Sequence, residues 1–243
     1  MARAIRGPRR RWRGWLYGVL LVLGAAGTPF ALREGLVPPP LNPLPAIDLA
    51  AGQPWLADWR LASIRRFPSM CVRTLQAPHI EAHTIADAQM HDGCGWSNAV
   101  QLVSAGGVRA HFGRLTCETA VALALWLEHE VQPLAVQLLG QRVAAVHSFG
   151  SYSCRNIRGN PFWSHRRSEH ARANAVDIAG FTLADGRTVG VRGQWNSEGA
   201  EGTFLREAHA RACPYFRAAL GPGYNAAHRD HFHLDRGPFS RCR

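Results

Sequence analysis

The 243-residue chain contains no lysine, so every one of its 28 basic side chains is a guanidinium. None of its six cysteines forms a C-x-x-C pair, no internal repeat is visible, and no low-complexity tract occurs beyond one proline-rich stretch at 33–54. The body of the chain has no run of clustered arginines interleaved with aromatics. That absence argues against a nucleic-acid surface, despite a net charge of +11 and a pI near 10.6. Much of the charge is local: Arg3, Arg6, Arg9, Arg10, Arg11 and Arg13 fall in the first 13 residues with no acid among them, and the remainder is only mildly basic. With 47% hydrophobic and 19% charged residues the composition is globular rather than disordered, and the length suits one well-buried domain with appendages.

The arginine block at 1–13 precedes about eighteen uncharged residues, WLYGVLLVLGAAGTPFAL. A basic flank followed by such a run is a signal peptide or a single membrane anchor, with the arginines kept in the cytoplasm. The stretch at 14–32 is long for a signal-peptide core and shows no clean cleavage site, which favours an uncleaved anchor in the inner membrane. The rest of the chain is then expected on the periplasmic side, or secreted if the segment is cleaved. Export accounts for the cysteines: Cys71, Cys94, Cys117, Cys154, Cys213 and Cys242 are even in number and dispersed, as disulfides rather than a cysteine zinc site would be. Their pairing is left open.

Residues 33–54 read as a short stiff spacer, because their prolines impose extended backbone. The folded domain is expected over 55–243. PWLADWRLASIRRF and PSMCVRTLQ have helical apolar spacing, and NAVQLV reads as a strand. The clearest helix, TCETAVALALWLEHEVQ, has Thr116 as its cap, Pro133 just beyond its end and apolar residues on most faces, so burial is expected. A strand at 143–149, a buried strand in AVDIAGF, a helix through TFLREAHARAC opened by Thr203, and a last strand at HFHLD complete an α+β pattern.

Two clusters carry chemistry. HRDHFHLD, residues 228–235, holds three histidines and two aspartates. Strand alternation sends His231 and His233 to one face and Phe232 to the other. SEHARANAVDI places His170 seven residues before Asp177, and Asp177 sits in an apolar strand where a carboxylate is costly unless paired or bound to a cation. Two imidazoles and one carboxylate with an open fourth position describe a catalytic zinc centre, whereas structural centres are closed and usually cysteine-rich. The bland alternative is a hydrogen-bonded His/Asp core. Asp230, Asp235 and Ser168 read as turn residues or residues that orient an imidazole, and Tyr152 and Tyr224 as packing residues.

At this point the motifs carry a resemblance. SEHARANAVD resembles the Ser-x-His-x-x-Gly-x-Ala-x-Asp motif of the D-Ala-D-Ala carboxypeptidase/LAS superfamily of zinc peptidases, and His231-Phe232-His233 resembles its His-x-His. More closely, SYSCR, LADGR, FLREAHARAC, LGPGYNAAHRDHFHLD and the terminal cysteine resemble the bacterial extensin-like C-terminal family, from about Asn42 onward. The resemblance implies a small antiparallel sheet flanked by helices and carrying Zn2+ on His170, Asp177 and His233. It implies His231 as general base, His228 as an additional active-site histidine and Arg155 as a residue that binds substrate or steadies an oxyanion. The motif glycine is Ala173 here; where that position needs positive φ, alanine is expected to shift His170 relative to Asp177. The implied function is an exported zinc-dependent hydrolase of the cell envelope, a peptidase on peptidoglycan stem peptides or cross-links. The alternative is a non-catalytic envelope-binding module that retains a metal site.

Overall fold

The computed structural model describes residues 9–52, 55–109 and 111–243; most of the basic flank, residues 1–8, lies outside them. The apolar run forms a helix, α1 (Arg9–Arg33). Its stretch Gly14–Arg33 has a mean hydropathy of 1.7 and is almost wholly unburied. Twenty helical residues span about 30 Å, enough for a bilayer core, though a signal sequence has the same properties.

The proline-rich segment does not stand off as a spacer. Ile47 and Leu49 are buried, Arg60 donates to the carbonyls of Pro45 (3.1 Å) and Ala46 (2.6 Å), and His129 Nε2 lies 2.6 Å from the Leu49 carbonyl. The prolines do keep the backbone extended between two short 3-10 turns, but the segment uses that shape to lie along the domain. Gly35 permits the closest approach: its φ is +63°, and a Cβ there would meet the Ala62 carbonyl oxygen at 2.1 Å.

Among the described residues the strands are β1 (Ile80–Thr84), β2 (Ala88–His91), β3 (Cys94–Trp96), β4 (Ala99–Ala105), β5 (Val108–Arg109), β6 (Arg114–Thr116), β7 (Val143–Gly150), β8 (Ala175–Leu183), β9 (Thr188–Gly190), β10 (Ala218–Leu220), β11 (Phe232–Asp235) and β12 (Arg241–Cys242). Ten of them form one sheet in the order β1-β4-β5-β7-β8-β11-β10-β12, with β6 on β4 and β9 on β8; β2 and β3 form a separate hairpin. The expected small antiparallel sheet is therefore corrected to a large mixed one, in which β5–β7 and β10–β12 pair in parallel. Two-residue strands such as β5 and β12 carry no readable alternation, which is why the sequence understates the sheet.

The helices that follow α1 are α2 (Ala57–Ala62), α3 (Pro68–Leu75), α4 (Cys117–Trp126), α5 (Gln132–Leu139), α6 (Val191–Gln194) and α7 (Ala200–Ala210). Every residue of α4 is buried. Trp126 lies among Phe181, Phe204 and Phe216 in the core and donates its indole N–H to the Ala208 carbonyl at 2.9 Å. Pro133 does not end this helix. A π turn over Leu127–Val131 carries the chain into α5, with Pro133 in its first turn. Wider i→i+5 bonding at the junction accommodates a residue with no amide N–H. The helix stops instead at Gly140, whose left-handed backbone caps it. Likewise α7 begins before Thr203, after Gly199.

Three disulfides tie these parts together: Cys71–Cys117 joins α3 to α4, Cys94–Cys154 joins β3 to the loop after β7, and Cys213–Cys242 joins the end of α7 to β12.

Candidate metal centre in an arginine-lined cleft

Strand register builds the site. In the antiparallel β8–β11 pair, Asp177 is directly opposite His233 and Ile178 opposite Phe232. Directly opposed residues project to the same face, so the carboxylate and imidazole meet on one side while the neighbouring apolar side chains fill the core. His170 arrives from the 3-10 turn Glu169–Arg172, where Ser168 is the N-cap and accepts the His170 N–H at 3.4 Å. Ala173 then reverses the chain with φ +54° and ψ +25°, and its carbonyl accepts the Thr116 N–H at 2.8 Å. The left-handed conformation is thus kept by a non-glycine residue, at a strain of about 1–2 kcal/mol. His170 lies within hydrogen-bond distance of Asp177 with alanine at this position.

His170 Nε2 is 3.1 Å from Asp177 Oδ1 and 3.1 Å from His233 Nδ1, and His233 Nδ1 is 3.0 Å from Asp177 Oδ1. The outer nitrogens of both rings are anchored: His170 Nδ1 lies 2.9 Å from the Ser151 carbonyl and His233 Nε2 lies 2.9 Å from Asp235 Oδ2. A carbonyl and a carboxylate only accept, so those outer nitrogens carry the protons. In the neutral tautomers, His170 Nε2, His233 Nδ1 and Asp177 Oδ1 therefore direct three lone pairs at one another. Only a proton or a cation reconciles them. Asp235 Oδ1 also accepts the Gly237 N–H at 2.8 Å, which fixes the carboxylate that holds His233.

The charges reflect this convergence. Burial disfavours the ionised forms of both Asp177 and His233, but their hydrogen bonds prevail. Asp177 is held well below the usual carboxylate range by His170 and His233, and His233 is raised to about 10 by Asp177 and Asp235. His228 goes the other way, lowered to about 4 by burial and by the neighbouring His233 and His231.

The cluster lies at one side of a cleft of about 550 Å³. His231 lines it with Nε2 3.6 Å from Asp177 Oδ1 and Nδ1 2.9 Å from Asp230 Oδ1. That carboxylate fixes the ring so that the basic nitrogen faces the cluster. His228 also lines the cleft, its Nδ1 2.7 Å from Asn225 Oδ1 and its ring 5.4 Å from that of His231. Arg155 is half-buried in the same wall and donates to the Asn156 carbonyl at 3.3 Å. Burial lowers its pKa against the opposing pull of Asp177. Five of the six residues singled out from the sequence thus line one cavity, and the sixth, His170, touches Asp177 and His233 from outside its lining.

Of the residues given lesser roles, Asp230 and Asp235 each orient an imidazole, and Ser168 caps the turn. Tyr224 lines the cleft against His228, whereas Tyr152 packs edge-on against Trp96. Sequence reasoning did not find the Ser151 carbonyl, a backbone atom with no side-chain signal. It also did not find the aromatic wall of Trp163 and Phe239.

Comparison with curated proteins and with solved structures gives no match to the chain. The family model described as extensin-like protein C-terminus matches residues 69–243, a span that contains β8, β11 and every residue of the site, and the chain belongs to that family.

Proposed function

We propose that the protein is an exported zinc-dependent hydrolase of the cell envelope, a peptidase that cleaves peptidoglycan stem peptides or their cross-links. The observation that carries this reading is the meeting of three lone pairs from His170, Asp177 and His233, with both outer ring nitrogens already anchored, beside an open cleft. Two imidazoles and a carboxylate, each imidazole oriented by a carbonyl or carboxylate behind it, are the donor set of a catalytic zinc site, and all six cysteines are committed to disulfides. When bound, zinc supplies Lewis-acid polarisation of a carbonyl and makes water a nucleophile near neutral pH.

The chain's own residues supply the rest. His231, oriented by Asp230, takes a proton at Nε2 and returns it to the leaving amine. Arg155 offers a fixed positive charge to the oxygen that becomes anionic. His228, neutral at pH 7, offers a hydrogen-bonding nitrogen beside them. The similarity of the two motifs to those of the D-Ala-D-Ala carboxypeptidase/LAS superfamily supports a peptide amide as substrate. The apolar helix and three disulfides support export, to the periplasmic side of the inner membrane.

The test combines metal analysis of the full chain with mass spectrometry of peptidoglycan fragments incubated with it. One zinc per chain is expected, lost in His170→Ala, Asp177→Ala and His233→Ala. His231→Ala is expected to keep the zinc and lose about 10²–10⁴-fold in turnover. Zinc retention without turnover in the wild type would leave an envelope-binding module; a native protein indifferent to zinc and chelator would sink both readings.

A further inference from the structure

Six arginines line the cleft, Arg155, Arg158, Arg166, Arg167, Arg172 and Arg241, against three carboxylates, Glu169, Asp177 and Asp235. Only Glu169 offsets a member of that wall, Arg172; the other two acids are engaged elsewhere. Asp177 is held by His170 and His233, Asp235 by His233 and the Gly237 amide, and Glu169 by Asn174 at 2.7 Å and Arg172 at 3.7 Å. Two of the remaining guanidiniums are stacked on aromatic faces. Arg166 lies over Trp163 at 4.9 Å and over Phe239 at 5.4 Å, and Arg241 lies over Tyr224 at 5.6 Å.

Stacking engages the face of a guanidinium and leaves its in-plane N–H groups at the edge, where they match the two oxygens of a carboxylate. The aromatic partners also limit the conformations the long side chain must lose on binding. These residues come from separate parts of the chain, and covalent and backbone links hold the parts together. Trp163 and Phe239 are in contact at 5.4 Å, Asn156 bridges Arg167 across the loop, and the Cys213–Cys242 disulfide pins the residue after Arg241. Trp163 and Phe239 remain 40% and 54% exposed, so a substantial apolar surface faces the cleft rather than the core.

We propose that Arg166 and Arg241, with Trp163, Phe239 and Tyr224, form a subsite for a carboxylate-bearing portion of the substrate, next to the His170–Asp177–His233 cluster. The subsite makes the favoured substrate an acidic peptide rather than a neutral one. It rests on the hydrolase reading for its biological meaning, but binding is measurable without turnover.

The experiment uses the full chain in detergent, with a fluorescently labelled synthetic peptide Ala-γ-Glu-Lys-Ala as probe, either with free carboxylates or with all of them amidated. The free acid is expected to bind about tenfold more tightly than the amide. Arg166→Gln and Arg241→Gln, both at exposed positions, are each expected to remove most of that preference while zinc content and affinity for the amide stay unchanged. Equal affinities for acid and amide, or a preference untouched by both substitutions, would overturn the subsite. So would displacement of the probe by sn-glycerol 1-phosphate or a short oligothymidylate at lower concentration than by the unlabelled acid, which would assign the wall to a lipid headgroup or a nucleic acid. Failure of the hydrolase reading looks different: acid-selective binding persists and neither peptide is cut.

Discussion

Glu118 and Asp177 are both carboxylates buried in otherwise apolar elements, one on α4 and one on β8, and they are neutralised in different ways. Glu118 is clasped by the guanidiniums of Arg65 and Arg236, and Arg236 in turn reaches Asp58, which also pairs with Arg217. Burial opposes the charge of Glu118, yet Arg236 and Arg65 hold its pKa below the usual value. Every cation in that network is permanent. Around Asp177 the neighbours are imidazoles, which are cationic only when a proton is present. The first network is complete in itself, whereas the second depends on a proton on His233 to pair its imidazole with Asp177. Buried charge alone therefore does not distinguish the two clusters; the groups that face it do.

The comparison is sharpest when each cluster loses one member. Glu118→Ala strands Arg236, whose side chain is fully buried, and is expected to cost about 3–5 kcal/mol in chemical denaturation. Zinc content of the folded fraction should not change. A loss below 1 kcal/mol would mean that Asp58 suffices and the two networks differ less than argued.

A pH titration separates them next. In zinc-stripped protein, His233 binds its proton more tightly folded than unfolded. Its contribution to stability is complete below its ordinary pKa of 6.5 and is lost as pH rises through about 10. Zinc requires the same nitrogen unprotonated, so zinc affinity should rise over that window while the stripped protein weakens. Parallel pH curves for stripped and zinc-loaded protein would refute the competition between proton and metal.

Asp235→Asn keeps an acceptor near His233 Nε2 but removes its charge, and should lower zinc affinity about 10–100-fold. The change is read by competition with a chromophoric chelator. The smallest effect is expected at Ala173. Replacement by glycine relieves the left-handed strain but loses a buried methyl and adds backbone freedom, so stability should move by less than about 1 kcal/mol and zinc content not at all.

How much of this was legible follows the same division. The burial of α4 follows from local pattern, whereas His231, read as sharing a strand face with His233, lies in the bend before β11 and lines the cleft from there. The pairing of β8 with β11 depends on long-range register, and a one-residue slip would have turned Asp177 away from His233. Glu118 sits in an alanine- and leucine-rich run with nothing nearby in sequence to reveal Arg65 or Arg236, 53 and 118 positions away. Five of the six wall arginines fall within residues 155–172, beside Trp163, so part of the wall had a local signal; Tyr224, Phe239 and Arg241 join it only through the fold. Pro133 misled because proline ends most helices, and only the π turn shows how this one continues.

The attachment of α1 has its own consequence. Arg217 donates to the Arg33 carbonyl at 2.6 Å, Glu34 pairs with Arg65 at 3.0 Å, and Arg33 reaches Ser240, on the cleft's rim, at 2.9 Å. A domain on a loose tether samples a volume that grows with tether length. If α1 is retained as an anchor, these contacts leave no free linker, and the Ser240 side of the cleft would stay near the end of the helix rather than swing away from it.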